Sequence, residues 1–334
     1  MLDIFRNDAF SVTSLTDAFI KAPYQPGRIG QLGLFRSQGI RTTTAVIEWK
    51  DGRLNLIQSS PRGGAHENNA PAKDEKRTIE SFVVPHLEKG ATILADEVQN
   101  VRLFGSEDQT EAVSQLVNER LAELRRDHEV TLEHMRISAI QGIVKDADAS
   151  TLVNLFTKFG VSQSTGTLSP NASTDEGDAL RAECVALQRS VEAVLGAASV
   201  TGYRAFCGPD FFDTLRSDLG VTQTLRYADP ASLLAQGPNS RMFSFGGIVW
   251  EEYRGGTSYI AADEAYLVPE GVDIFRTYFA PADFVETVNT LGLPGYAKTF
   301  VDPELQRFVK IHTQSNPLTI CLRPDAVVKV TLTT

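Results

Sequence analysis

The segment from residue 107 to residue 140 constrains this chain more than any other. Val113, Val117, Leu121, Leu124, His128, Leu132, Met135 and Ala139 recur at steps of four and three, the spacing of one helical face, while Arg and Glu fill most of the opposite side. Ser106 with Gln109 makes a capping box, Glu107 and Asp108 sit in the first turn, and Gly142 marks a stop. A helix of roughly 33 residues is about 50 Å long at ~1.5 Å per residue. A compact globule of 334 residues has a diameter of roughly 50 Å, so this helix crosses the whole molecule. No second segment of the kind exists, which favours a spine along an elongated domain over a coiled coil. Arg125, Arg126, Asp127 and Glu129 in its middle are expected in solvent. His128 and His134 are separated by six positions, not the four that places two metal ligands on one face, and both read as structural.

The remaining composition excludes several function classes. With 32 Lys and Arg against 42 Asp and Glu, the formal charge of −10 disfavours binding of free nucleic acid. Cys184, Cys207 and Cys321 stand far apart with no CxxC pair, which argues against a zinc cage and fits buried thiols in a reducing compartment. No apolar run approaches the roughly 20 residues that span a bilayer. Asp3, Arg6 and Asp8 stand where a signal peptide needs an apolar stretch, so the protein is expected to be cytosolic when made and to have no membrane partner.

Residues 1 to 40 combine scattered apolar positions with Pro23, Pro26, Gly27, Gly30, Gly33 and Gly39 and read as an extended arm. The glycine spacing lacks the flanking strand and helix of a dinucleotide-binding loop. From Arg41 the pattern turns to Thr, Val and Ile, then Asp51-Gly52, then Arg53 to Ile57, a hairpin signal that pairs Trp49 with Leu54 and Ile47 with Leu56 on a greasy face. Ser59 to Glu75 has only Ala as an apolar residue and cannot order itself alone, and a β-rich pattern resumes over Arg77 to Leu87. A loop of this length is either a lid over an active site or an arm that reaches a neighbouring subunit.

Beyond Gly142 the chain alternates short strands and helices. A Ser/Thr/Gly-rich stretch from Gly160 to Ser173 reads as a linker at a domain boundary, Asp175 to Ala197 as an amphipathic helix, and the segments around Val200–Phe206, Phe243–Tyr253, Ala265–Val268, Phe308–His312, Thr319–Leu322 and Ala326–Leu332 as strands. Catalytic patterns are missing. There is no GxSxG and no phosphate-cradling GxxxxGK[ST], and Cys207 has no base beside it in sequence. Glu251-Glu252 on a strand point to opposite faces, as Asp263-Glu264 do if extended. No catalytic residue, cofactor or metal ligand is assigned.

Several stretches do resemble a known family. Arg28-Ile-Gly-Gln-Leu-Gly-Leu-Phe35, His134-Met-Arg-Ile-Ser-Ala-Ile-Gln-Gly142 and Gly246-Gly-Ile-Val-Trp-Glu-Glu-Tyr253 are similar to the major capsid protein E family of lambda-type tailed phages. Ala262 to Pro269, Phe279 to Phe284 and Gln314 to Leu318 extend the resemblance over nearly the whole chain. It implies an α+β chain with the Hong Kong 97-type phage capsid fold: an N-terminal arm (1–40), an extended β-loop (41–87), a peripheral domain (88–174) with its spine helix (107–140), an axial α/β domain (175–300), and return strands of the peripheral domain (301–334). The function implied is that of a head protein, not an enzyme, building hexamers and pentamers of an icosahedral shell around double-stranded DNA. Its partners would be copies of itself, a separate scaffolding protein, a portal and a decoration protein, with packaged DNA held non-specifically at the inner surface. Its place would be the virion, after assembly in the bacterial host cytoplasm. Within that frame Ile47, Trp49 and Leu54 lay the loop's apolar face on a neighbour, and Arg62, Lys73, Lys76 and Arg77 pair with acidic surface. No crosslink through Lys73, Lys76, Asn68 or Asn69 is expected. Two alternatives are a cytosolic α/β enzyme with a long lid loop and another ring-forming virion protein.

Overall fold

A computed structural model describes residues 11–24, 26–50, 77–99, 109–170, 178–196, 198–227, 241–254, 259–304 and 307–333. One uninterrupted helix runs Gln109–Ile140. From Val117 onward the apolar positions at steps of four and three are all buried: Val117, Leu121, Leu124, His128, Leu132, Met135 and Ala139. The helix stops because Gly142 takes φ +82°, a left-handed conformation that a side chain resists, with the Phe156 ring standing where a Cβ would project.

Strands are numbered along the chain. The largest sheet has six, in the order β7 (Ser164–Leu168), β16 (Val328–Leu332), β11 (Glu264–Glu270), β8 (Gly202–Cys207), β10 (Ile248–Glu252), β9 (Met242–Phe245). Its central strand β11 is buried from Ala265 to Pro269 without alternation, as a strand covered on both faces must be. Helices Asp178–Leu195 and Pro209–Ser217 contribute Leu180, Cys184, Leu187, Val191, Phe211, Phe212 and Leu215 to the same core. A second sheet joins β13 (Tyr296–Val301), β14 (Phe308–Ser315) and β4 (Leu87–Leu94). Val309, Ile311, Thr313 and Ser315 of β14 face inward at period two, and Ile311 meets Leu121, Leu124, Leu15 and Phe19 in a separate smaller core. A third sheet joins β1 (Arg36–Gly39), β12 (Phe275–Phe279) and β15 (Pro317–Cys321), and β15 packs on the long helix. Two antiparallel ribbons complete the set: β2 (Thr44–Lys50) with β3 (Arg77–Val83), and β5 (Ile143–Lys145) with β6 (Thr151–Asn154). The three terminal strands thus enter three different sheets.

Three sequence expectations are corrected. Residues 11–40 are not extended, because they form helices Val12–Lys21 and Arg28–Leu32 before β1. Ser11 caps the first through the Ser14 N–H, and Leu15, Thr16 and Phe19 bury its inner face. Inside the stretch read as a linker, Ser164–Leu168 is an edge strand parallel to β16. Arg125 and Glu129 are not in solvent. The Arg125 guanidinium lies 4.5 Å from the Tyr24 ring centroid and 5.4 Å from that of Phe19, bonds the Phe19 carbonyl, and pairs with Glu129 at 3.1 Å.

Glu133, two turns before the end of the long helix, is also buried. Its carboxylate accepts from the backbone N–H groups of Ile29 (2.6 Å) and Gly30 (3.2 Å) and from the Tyr253 hydroxyl (3.3 Å), with Arg136 3.7 Å away. It therefore caps the N-terminus of helix Arg28–Leu32 from another element. Gly27 leaves the room, since a Cβ there would overlap the carboxylate. Arg28, the first residue of the capped helix, is ion-paired with buried Glu251 of β10. Arg204 of β8 bonds Glu251 at 2.7 Å and Glu270 of β11 at 2.6 Å.

Replacing Glu133 with Ala leaves two backbone donors, Tyr253 and Arg136 without their partner, and should lower the unfolding free energy by about 3 kcal/mol in urea titrations. His128 gives a pH signature. Burial is the main force holding its pKa down, at about 4 against an ordinary 6.5, with the charge of Arg125 adding to it and Asp127 opposing. The imidazole stays neutral in the fold while the unfolded chain takes up the proton, so stability falls as pH drops from 6.5 toward 4, by up to about 3 kcal/mol. His128→Gln should flatten that part of the stability–pH curve.

Candidate assembly surface

The β2–β3 ribbon is built from residues with high strand preference, and its register runs from Thr44 opposite Val83 to Lys50 opposite Arg77. Period two divides it into two faces. Ala45, Ile47 and Phe82 lie on one, and all three are buried in this subunit's own core, with the Phe82 ring 5.8 Å from Phe159. Glu80 on the same face pairs with Lys158 at 3.3 Å, whose ammonium also sits 5.9 Å from the Phe82 ring centroid. The opposite face carries Val46, 66% exposed, and Val83, 73% exposed, on adjacent strands as diagonal neighbours.

Of the proposed contact residues, Ile47 is 8% exposed and packs in the core of its own chain. Trp49 and Arg77 hold register positions opposite Thr78 and Lys50, but their side chains lie outside the described residues, as do Leu54, Arg62, Lys73, Lys76 and the Asp51-Gly52 turn. The pairing described for β2 is with β3. Val46 and Val83 went unnoticed in the sequence because Val46 and Ile47 are adjacent apolar residues, so alternation alone does not say which faces outward. Opposite Ala45 stands Phe82, and the burial of that ring decides the face.

Where the ribbon's second strand leaves for β4, His86 and His312 converge on Glu88. The Glu88 carboxylate is 3.2 Å from His312 Nε2 and 3.7 Å from His86 Nε2, and His86 Nδ1 is 2.9 Å from Asn316 Oδ1. The bond to His312 is the first cause of a Glu88 pKa below the ordinary carboxylate value. Burial first, and then the charge of Glu183, push the Cys184 thiol up to about 12, and burial with nearby acidic groups raises Cys207 and Cys321 as well, so none of these three buried thiols is a ready nucleophile. Among the described residues no group of three His, Cys, Asp or Glu side chains could hold a metal ion, and no helix is long and apolar enough to cross a membrane.

A spine helix, three sheets and a two-stranded ribbon with one solvent-facing apolar side define the α+β capsid-subunit fold of the Hong Kong 97 type. Solved structures agree. The putative capsid protein of a prophage from E. coli CFT073 superposes with a TM-score of 0.50 at 13% identity, covering 99% of this chain and 96% of that one. The capsid asymmetric unit of cyanophage A-1(L) gives 0.51 at 12% identity, covering 93% and 94%. By sequence, the family described as Phage major capsid protein E matches residues 11–332, and the chain belongs to that family. The major capsid protein of Pseudomonas phage KPP10 is 29% identical over 349 residues, covering 96% of both chains. That of Salmonella phage Felix O1 is 24% identical over 371 residues, covering 99% of this chain and 98% of the other.

The two ribbon faces separate in a substitution experiment. Ile47→Glu should cost more than about 3 kcal/mol of stability by placing a charge in the core, whereas Val46→Glu should stay within about 0.5 kcal/mol of the parent in the same urea titration.

Proposed function

We propose that this chain is the shell-forming head subunit of a tailed phage or prophage, closing into hexamers and pentamers of an icosahedral shell around double-stranded DNA. The observation that carries the proposal is the family match over residues 11–332, end to end with full-length major capsid proteins. In this reading residues 1–40 are the N-terminal arm region and 41–87 the extended loop. The peripheral domain spans 88–174 and 301–334, and the axial domain spans 175–300. The loop reaches a neighbouring subunit through Trp49, Leu54, Arg62, Lys73, Lys76 and Arg77, and the Val46/Val83 face adds an apolar contact at its root. Rings of five and of six require heterologous contacts in which unlike patches meet. The subunit is a structural protein that turns over no substrate.

Partners follow from the same reading. A scaffolding protein sets the shell's curvature in the host cytoplasm, a portal occupies one vertex, and a decoration protein binds the finished shell. The formal charge of −10 suits an inner wall along which packaged DNA slides without sticking.

The purified chain, with and without a scaffolding protein, should sediment as closed shells visible by negative stain. Single rings only, or a small oligomer under both conditions, would overturn the proposal. Deleting residues 59–75 should leave a soluble subunit that makes no shells, and normal shells from that variant would refute the role given to the loop.

A further inference from the structure

Between β12 and β13 the chain turns through a short 3₁₀ helix, Val285–Thr287, and exposes four large apolar side chains within nine positions. Val285 is 87% exposed, Val288 64%, Leu291 56% and Leu293 40%. Singly exposed apolar residues need no explanation, but a run of four on one loop does.

The loop is held in place by its own polar groups. Thr287 Oγ1 donates to the Ala282 carbonyl at 2.8 Å, Thr290 Oγ1 to the Thr287 carbonyl at 2.7 Å, and the Tyr296 hydroxyl accepts from the Leu293 N–H at 2.9 Å. Ser315 Oγ at the end of β14 and Asn316 Nδ2 just before β15 reach over to the carbonyls of Pro294 and Pro281, at 2.7 and 2.8 Å. A surface fixed this way loses little conformational entropy when it is covered.

Its charge narrows the partner. Glu286 is the only ionisable acid or base of ordinary range between Phe284 and Gly295, and Lys298 neutralises it at 2.8 Å. Such a surface offers no cation to a phosphate backbone and no unpaired charge to a charged protein. It fits apolar protein surface. The Gly292 N–H donates to the Ile40 carbonyl at 2.9 Å, four residues before β2 begins, and a Cβ on Gly39 would collide with the Gly292 carbonyl. The loop is therefore seated beside Gly39 and Ile40, at the entry to the ribbon proposed above to reach a neighbouring subunit.

We infer that the loop Val285–Leu293 is a second, preformed contact surface for another copy of this chain, meeting an unlike apolar patch on the neighbour. The inference rests on the shell reading above. A benzophenone amino acid at Val288, irradiated in assembled shells that contain the other head proteins, should give adducts with the mass of two copies of this chain. Adducts with a different polypeptide, or none, would overturn it. The double substitution Val285→Asp with Val288→Asp should keep the parent's circular dichroism and reduce shell yield at least tenfold, and parental yield would overturn the inference even if the shell reading stands. If that variant fails to fold, the photo-adduct still decides. If the unaltered chain forms no shells, the shell reading falls first and this inference with it.

Discussion

One buried carboxylate joins the parts of this subunit. Glu133 sits on the long helix, yet its lone pairs serve the start of helix Arg28–Leu32 and the hydroxyl of Tyr253, just beyond β10. Fixing that helix places Arg28 against Glu251, and Arg204 then carries the network on to Glu270 across three neighbouring strands. The six charged groups, Glu133, Arg136, Arg28, Glu251, Arg204 and Glu270, sum to zero. A buried carboxylate is costly unless several donors surround it, and here Ile29 and Gly30, Tyr253, and Arg136 of its own helix draw three lengths of chain together. Displacing the N-terminal segment or the sheet relative to the long helix would leave at least one of these charges unpaired. The interaction thus acts on register: it selects one arrangement of three elements over nearby alternatives.

The ribbon relates to this body through contacts of another kind. Its inner face is held by apolar packing of Ala45, Ile47 and Phe82 and by the Lys158–Glu80 pair, while its outer face has no partner within the subunit among the described residues. A two-stranded ribbon is marginal by itself and needs a surface to lie on. Phe159 and Lys158 of the helix Leu155–Phe159 supply part of that surface on the inner side. A shell of copies can supply the other.

How far the sequence discloses this depends on how local each cause is. The long helix and its end at Gly142 are legible because periodicity and a C-terminal glycine act within a few residues. The six-stranded sheet is legible in β8, β10, β11 and β16, whose β-branched and aromatic runs are bounded by glycine and proline. Ser164–Leu168 is not, since a Ser/Thr/Gly strand is indistinguishable from a loop until β16 pairs with it. The helix Val12–Lys21 did leave a signal, Ser11 followed by Leu15 and Phe19, which the prolines and glycines after it outweighed. Glu133 could not be found at all. Its ligands lie more than a hundred positions away, and on a helical wheel it counts as one more solvent-facing acid. Arg125 misled for the same reason, because the rings of Phe19 and Tyr24 that cover it lie about a hundred positions earlier, on the helix Val12–Lys21 and just beyond it.

The division of labour between polar and apolar contacts suits a subunit that occupies several environments. Hydrogen bonds weaken steeply with angle, so a network such as that around Glu133 and Glu251 fixes one geometry and tolerates little rotation. Burial of apolar surface is non-directional and scales with area, so a contact made by Val46, Val83, Val285 or Val288 can turn by some degrees and keep most of its free energy. Pentamers and hexamers built from one sequence differ by rotations of that kind. A chain that placed its buried charges between subunits would favour one ring size over the other. This chain places the charges of that network inside the subunit and, over the described residues, leaves apolar Val46 and Val83 exposed on the outer face of the ribbon.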